Sequence, residues 1–259
     1  MWNLLRIEFK KTLPFKPFWA LAGFYVVLLV LMFSAIAMIK IQGAPIDPKQ
    51  IYHFPQIWKN ITWWASWFNL LLGTIVVLLV SNEFSYKTLR QNVIDGLSRT
   101  DTLAAKLLVI LCLALGSTAL ITFVGLIFGL IYSPDTSLAV IFKTYPYVLI
   151  YFVQAFAYMT IALCIGLLVR SGVLATLLFL FSIIIEGIVR PIFIPDPIGV
   201  YFPMKIISNL LPAPWAGYSI IRHTRELTNV PMETAVLVTL GYIALFSLLS
   251  YGLLMKRDL

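Results

Sequence analysis

Six apolar runs of roughly 20 residues dominate the sequence, and they limit the chain to a helical membrane protein. The runs are Phe18–Ile39, Ile61–Val80, Leu107–Tyr132, Tyr145–Val169, Val173–Val189 and Thr234–Met255. A helix of about 20 apolar residues matches the thickness of the bilayer hydrocarbon. With 61% hydrophobic and 12% charged residues, the chain is too apolar for a soluble domain. We therefore predict an all-α polytopic membrane protein with six transmembrane helices in one domain, residues 1–259.

The N-terminal residues 2–16 have the pattern of a helix that lies in the membrane surface. The large apolar residues of this stretch fall within one arc at 100° per residue, with most basic side chains outside it: Trp2, Leu5, Phe9 and Leu13. A basic helix with such a face lies in the lipid headgroup plane. We expect this amphipathic interfacial helix to act either as an anchor alone or as a mechanical element.

The distribution of Lys and Arg favours a cytoplasmic N-terminus. With both termini inside, eleven basic residues lie on the cytoplasmic side and eight lie outside, where the segments are longer. The net charge of +8 therefore indicates membrane orientation and contact with anionic lipids, and not nucleic-acid binding. The first run is longer than the apolar region of a signal peptide, so we expect it to remain as the first span.

A polar segment, residues 82–101, carries six charged side chains between the second and third runs. Both of its ends are continuous with predicted spans. We therefore expect a short, structured cytoplasmic segment on which a soluble partner can act. Large apolar residues lie between the charges, which a solvated loop does not need, and we expect them to form a contact face: Phe84, Leu89, Val93, Ile94 and Leu97.

We predict that this polar segment forms one or two short helices near the membrane plane. Gly96 is expected to give a tight turn, after which Ser98 caps the next helix. Arg90 and Arg99 are expected to pair with acidic groups, either on a partner or within the segment, namely Glu83, Asp95 and Asp101.

The outer half of the fifth run is interrupted by charge. Glu186 and Arg190 are spaced to pair on one helix face, either as an ion pair at the outer interface or as part of an ion or substrate path. Seven of the 14 prolines lie from Pro191 onward, among apolar pieces too short to span. We predict that residues 190–232 form an extracytoplasmic region of short outer-face helices between spans 5 and 6.

Two further patterns bear on assembly and chemistry. Gly125 and Gly129 form a GxxxG groove, which serves either dimerisation or packing within the chain. The sequence holds only two histidines, and it contains neither a metalloprotease HExxH motif nor a GxxxxGK[ST] phosphate loop. We therefore expect no catalytic residues, no bound metal and no cofactor in this chain.

The run from Glu83 to Lys106 resembles the cytoplasmic motif of ABC-2 type exporter permeases. It combines the turn Ser81-Asn82-Glu83-Phe84, then Lys87-Thr88-Leu89-Arg90, then Asp95-Gly96-Leu97-Ser98-Arg99, and finally Lys106, similar to the family's E…GT.R…G.SR…K pattern. Lys87-Thr88 stands where many relatives have Gly-Thr. The interfacial helix, the six spans and the long outer region extend the resemblance over nearly the whole chain.

The resemblance implies a six-span permease subunit of an ATP-driven bacterial exporter, in the cytoplasmic (inner) membrane, that moves a substrate outward or within the membrane. It implies a separate ABC ATPase subunit, which binds the ATP, and a second permease subunit, identical or homologous. Residues 82–106 would be the cytoplasmic coupling segment, with ATPase-coupling residues Glu83, Phe84, Arg90, Val93, Asp95, Gly96, Leu97 and Arg99. The alternatives are a secondary transporter and a membrane anchor for a larger assembly. The sequence does not identify the substrate.

Overall fold

In the computed structural model, the residues described are 2–38, 48–86, 88, 91, 96–169, 171–193, 198–212 and 230–256. Within these ranges the regular structure is helical. The α-helices are α1 (Trp2–Thr12), α2 (Lys16–Met38), α3 (Ile57–Ser66), α4 (Asn69–Ser85), α5 (Arg99–Tyr132), α6 (Leu138–Phe142), α7 (Pro146–Leu168), α8 (Gly172–Phe193), α9 (Pro203–Ser208) and α10 (Met232–Lys256). Short 3-10 helices cover Pro48–Tyr52 and Ile198–Tyr201.

Five helices are long and apolar enough to cross a bilayer, and the number is six when the bent pair α3–α4 is counted as one span. The prediction of an all-α polytopic membrane protein is therefore confirmed. The second apolar run, Ile61–Val80, is divided between two helices, because the chain bends by 42° between α3 and α4. At the bend, the amides of Trp67 and Phe68 bond three residues back, which tightens the end of α3 before α4 begins.

The connection before the second span is more ordered than the sequence indicated. The stretch from Lys40 to Asn60 holds three prolines, which is typical of an irregular loop. Its described part, from residue 48, instead forms a 3-10 helix, a turn and the start of α3, and its apolar side chains pack into the core. Tyr52 is fully buried, and its hydroxyl donates to the carbonyl of Phe33 at 2.5 Å. The indole of Trp58 donates to the carbonyl of Ile141 at 2.6 Å. Aromatic residues with a polar tip pack stably once the tip finds such an acceptor.

Helix α7 lies at the centre of the bundle and contacts α3, α4, α5, α8, α9 and α10. About two thirds of its apolar window is buried, against 11% for α8 and for α10. Those two helices therefore leave most of their apolar surface to lipid or to another subunit. The aromatic side chains of the outer half pack around α5, where Tyr52, Phe128 and Tyr132 stack on one another.

A chain of buried polar side chains crosses this core. The Tyr25 and Tyr151 hydroxyls lie 3.0 Å apart, and Tyr151 donates to the Asn69 side chain at 2.8 Å. The Asn69 amide donates to Gln154, which in turn donates to the carbonyl of Ile207 at 2.8 Å. Because Asn69 is the first residue of α4, these bonds fix the position of the bend against α7. Polar groups buried at membrane depth are stable only when bonded in this way.

The groove formed by the two glycines of the GxxxG pattern is filled by other residues of the same chain. A Cβ atom at Gly125 would lie 2.8 Å from the Trp58 ring, and one at Gly129 would lie 2.2 Å from the Phe54 ring. The absence of side chains at these positions therefore lets the aromatic rings of the preceding segment reach the backbone of α5. The groove is filled by packing within the subunit.

We predict that Gly129→Ala destabilises the protein by about 1–3 kcal/mol, because the added methyl overlaps the Phe54 ring in a well-packed site. The matched control is Gly116→Ala in the same helix, where a Cβ meets no atom within 4 Å. Helix propensity alone makes that control neutral or slightly stabilising. Thermal unfolding in detergent measures both variants, and equal midpoints would contradict the packing described here.

Candidate functional site

Four charged side chains meet where α1, α4 and α5 come together beneath the second and third spans. Glu8 and Lys11 come from α1, Glu83 from the last turns of α4, and Lys106 from the second turn of α5. We call these four residues the ion cluster. The α1 helix packs along α5, which brings its polar side to the ends of the two spans. Elements far apart in sequence are thereby joined by charge.

Lys106 is the centre of the ion cluster. Its ammonium lies 2.5 Å from Glu83 Oε1 and 2.8 Å from Glu8 Oε2. Lys11 contacts the same two carboxylates at 3.4 and 3.5 Å. Glu8, Glu83 and Lys106 are only 5–6% exposed, so each charge depends on the others for compensation.

A cavity of about 370 Å³ lies beside the ion cluster. Its wall is formed by the end of α1, the link to α2 and the end of α4: Glu8, Lys10, Lys11, Thr12, Pro14, Phe15, Leu79, Asn82, Glu83, Tyr86, Thr88 and Lys106. Oxygen Oε2 of Glu83 is buried and has no hydrogen-bond partner among the described residues. A buried carboxylate oxygen without a donor is costly, so the Glu83 carboxylate is only partly satisfied by the described residues.

The start of α5 is built as the sequence predicted. Gly96 has φ of +90°, a conformation that favours glycine. Ser98 is the N-cap: its hydroxyl accepts from the amide of Asp101 at 3.0 Å, and the Asp101 carboxylate accepts from the amide of Ser98 at 3.3 Å. This reciprocal capping box starts α5 at Arg99, eight residues before the predicted third span. The last part of the 82–106 segment is therefore continuous with that span.

Among the described residues, Arg99 bonds to backbone oxygens, and its expected pairing with an acidic group of the segment or of a partner stays a prediction. Its guanidinium donates to the carbonyl of Leu254 at 2.9 Å and to that of Met255, at the C-terminal end of α10. The last carbonyls of a helix lack intrahelical partners and carry partial negative charge, so they attract a cation. The start of α5 is thereby tied to the end of the last span.

The remaining predicted coupling residues divide into two groups. Phe84 is partly buried against the main core, and Leu97 is half-buried beside the capping turn. Arg90, Val93 and Asp95 lie outside the described residues, as do the predicted contact residues Leu89 and Ile94. The contact face of the segment therefore stays a prediction.

At the outer side, Glu186 and Arg190 both engage the segment that follows α8. The Glu186 carboxylate accepts from the amides of Met204 and Lys205, at 2.9 and 2.7 Å, at the start of α9. The side chain of Arg190 packs on Gly199, where an added Cβ would lie 3.1 Å from it. Burial lowers the pKa of Lys205, and the nearby Arg190 lowers it further. The direct Glu186–Arg190 ion pair remains a prediction.

The described part of the predicted outer region is helical and packed. Residues 198–208 form a 3-10 turn and α9, and Met204, Ile206 and Ile207 are buried against α7 and α10. Residues 213–229, which include the apolar piece Trp215–Ile221 of the predicted outer region 190–232, lie outside the described residues. No group of three His, Cys, Asp or Glu side chains suited to a metal ion occurs in the described ranges.

Sequence reasoning did not identify Glu8 as a site residue or Lys106 as its partner. Glu8 is the one acidic residue before Asp47, and it lies at the edge of the apolar arc of α1, which was the available signal. An acid in a basic surface helix indicates a specific cationic partner. Which lysine it meets depends on how α1 crosses α5, and the local sequence does not encode that crossing.

Comparison with known families agrees with this architecture. The profile of the ABC-2 family transporter proteins matches residues 4–186, well over half of the chain and including the whole ion cluster. The chain therefore belongs to the ABC-2 family: it is a multi-pass membrane permease of an ABC transporter and, as such, a transport component that works with an ABC ATPase. No individual curated protein matches the sequence significantly.

We predict that Lys106→Met destabilises the protein by about 3–5 kcal/mol, because Glu8 and Glu83 are left buried with reduced compensation. Lys256→Met, which removes an exposed lysine at the end of α10, serves as the control and is expected to change stability little. The double variant Glu83→Gln/Lys106→Met is expected to recover part of the loss. Equal unfolding midpoints for Lys106→Met and Lys256→Met would show that the ion cluster contributes nothing to stability.

Proposed function

We propose that this chain is the permease subunit of an ATP-driven exporter of the bacterial cytoplasmic membrane. It would move its substrate outward or within the membrane when a separate ATPase subunit acts on the coupling segment, residues 82–106. Both termini would be cytoplasmic, so that this segment faces the ATPase, as the distribution of basic residues favours.

The observation that carries this proposal is the anchoring of both ends of the segment to different parts of the membrane domain. Glu83, at its start, is held in the ion cluster with α1 and α5. Arg99, near its end, is held by the last carbonyls of α10. A lever transmits displacement only when its ends are fixed, and these contacts fix them to four helices.

Coupling would then follow from rigid-body motion. An ATPase that binds the segment and closes on ATP would displace Glu83 and Arg99 together. The ion cluster would transmit that displacement to α1 and α5, and Arg99 would transmit it to α10. Since α5 is one helix from Arg99 to Tyr132, the displacement reaches the outer face without an intervening hinge.

A second permease subunit is also part of the proposal. Helices α2 and α8 expose large apolar side chains, with only 17% and 11% of their apolar windows buried in this chain. Lipid covers part of that surface, and we propose that a second copy or a homologous subunit covers the rest, through the first or fifth span. Because aromatic rings of the same chain already pack on Gly125 and Gly129, these glycines are not expected at the contact between subunits.

Two alternatives remain testable. A secondary transporter would function without any ATPase, and a membrane anchor would bind a partner without moving a substrate. Neither has a specific observation in its favour, since the charges of the described cluster lie at the ends of α4 and α5 and not along a central path.

We predict that Leu97→Asp releases the ATPase or abolishes the permease's effect on ATP hydrolysis, while membrane insertion is retained. Leu97 is half-buried at the turn before α5, and a carboxylate there would disrupt an apolar contact. Val93→Asp, in the middle of the segment, is expected to behave in the same way. Co-purification of the ATPase and the rate of ATP hydrolysis measure the effect.

The matched control is Leu138→Asp, which places the same charge on a highly exposed leucine at the opposite side of the membrane domain. It is expected to keep both the bound ATPase and its hydrolysis rate. If Leu97→Asp and Val93→Asp also retain them, the coupling assignment is wrong. If substrate movement persists without any ATPase, the secondary-transporter alternative is correct.

A further inference from the structure

The charge that a ligand can reach in the cavity beside the ion cluster is positive. The side chains of Glu8 and Glu83, the acidic residues in its described lining, are each only 7% exposed and are bonded to the buried Lys106. The side chain of Lys11 is 28% exposed, and Lys10 is exposed at the rim. A ligand meets only the atoms that it can reach, so the lysines and not the carboxylates determine its charge. The cavity therefore favours a ligand with an anionic group.

Neutral hydrogen-bond donors line the same cavity. Asn82 and Tyr86 contribute an amide and a phenol, and neither side chain makes a hydrogen bond to another described residue. Asn82 is partly exposed, and Tyr86 is 73% exposed. Lys10 likewise takes part in none of the four ion pairs of the described residues. An anion with several oxygens, such as a phosphate, can accept from an ammonium and from neutral donors at once.

The cavity also has an apolar wall. Pro14 and Phe15 form the link between α1 and the first span, and Leu79 lies one turn into the second span from Glu83. Phe15 and Leu79 are both partly exposed. Because α1 has the amphipathic pattern of a surface helix, a cavity between it and the end of a span faces the boundary between headgroups and acyl chains. A soluble anion would leave this apolar wall uncovered, whereas a lipid covers it with an acyl chain.

We propose that this cavity binds an anionic phospholipid of the phosphatidylglycerol class. The phosphate accepts from Lys10 and from the amide of Asn82, and an acyl chain runs along Phe15 and Leu79 into the bilayer. Three lysines line the cavity against two glutamates, so the single negative charge of one phosphodiester balances the excess. The lipid needs no bond to Glu83, whose unpaired oxygen is buried. The cavity volume, about 370 Å³, is in the range of small-molecule sites.

Lipid titration of the purified, delipidated full-length chain tests the proposal by native mass spectrometry. The probes are phosphatidylglycerol, phosphatidylethanolamine and phosphatidylcholine with identical acyl chains. The last two keep the phosphate but add a positive charge, which the reachable lysines repel. We expect phosphatidylglycerol to bind about tenfold more tightly than either, as one charge-assisted hydrogen bond predicts. Equal binding of the three lipids, or tighter binding of a zwitterionic one, would overturn the assignment.

Substitution at the rim locates the site. Lys10→Gln is expected to weaken binding of phosphatidylglycerol about threefold to tenfold, because it removes a phosphate partner without touching the four ion pairs. Arg6→Gln, which neutralises an exposed cation of the same helix outside the cavity lining, is the matched control and is expected to bind as the parent does. An equal effect of both substitutions would mean general charge attraction and would refute a defined site.

A neutral substitution separates hydrogen bonding from charge. Asn82→Ala leaves the net charge of the chain unchanged and removes one donor from the cavity wall. It is expected to weaken binding of phosphatidylglycerol about threefold to tenfold, the effect of one hydrogen bond. Asn209→Ala, which removes an exposed amide at the end of α9, is the control and is expected to leave the affinity unchanged. Unchanged affinity in Asn82→Ala would contradict the proposed contact.

Two further arms separate the source of the phosphate and the class of partner. Glycerophosphoglycerol, the same headgroup without acyl chains, is expected not to displace the lipid, and full displacement would identify a soluble anion instead. If Lys10→Gln releases the ATPase while lipid binding is unchanged, the cavity is a protein contact and the lipid proposal is wrong. The lipid titration contains neither ATPase nor nucleotide, so its failure leaves the proposed coupling function untouched.

Discussion

Lys106 is an ammonium group removed from water near the N-terminal end of the long apolar helix α5, and the surrounding structure is arranged to keep it charged. An isolated buried charge is costly, and it is tolerated only where opposite charges lie within bonding distance. Glu83 and Glu8 meet that condition at 2.5 and 2.8 Å, and they come from two other helices. Helix α1 therefore cannot leave the bundle without depriving the buried Lys106 of one of its two carboxylate partners. This requirement, more than any apolar contact of α1, fixes where the N-terminal helix lies.

The same rule operates at the middle of the bundle with neutral groups. Asn69 and Gln154 would be unstable in an apolar interior, yet each is bonded on both sides, from Tyr25 and Tyr151 through to the outer helix α9. Polar bonding thus determines the positions that apolar packing leaves free, such as the bend between α3 and α4. Within the described residues, the ion cluster and this central network both join several helices through polar contacts.

Most of the fold could be predicted from the sequence because bilayer thickness restricts what 20 apolar residues can do. The apolar spans, the helix α1 and the capping turn at Gly96 and Ser98 each follow from local pattern. Local pattern does not encode which distant group a charge meets, so Glu8 was missed and the contact of Arg99 with the end of α10 was not foreseen. Likewise, the glycines of α5 indicated close packing but not its partner. Their packing partner is the aromatic segment around Phe54 and Trp58. The prolines and lysines of that segment are typical of a loop, so its sequence did not indicate that its aromatic side chains are buried.

The contacts of Arg99 show why the two ends of the coupling segment are not equivalent. At the Glu83 end, compensation is between full charges that are almost completely buried, so separation would be expensive and the contact is expected to persist through any motion. At the Arg99 end, a partly exposed guanidinium meets the partial charges of a helix terminus, an interaction worth only about 0.3–1 kcal/mol at an exposed site. The Arg99 contact is therefore the weaker of the two anchors. The ion cluster joins α1, α4 and α5 more firmly than Arg99 joins α5 to α10, because only the cluster would leave full charges buried and unbalanced on separation.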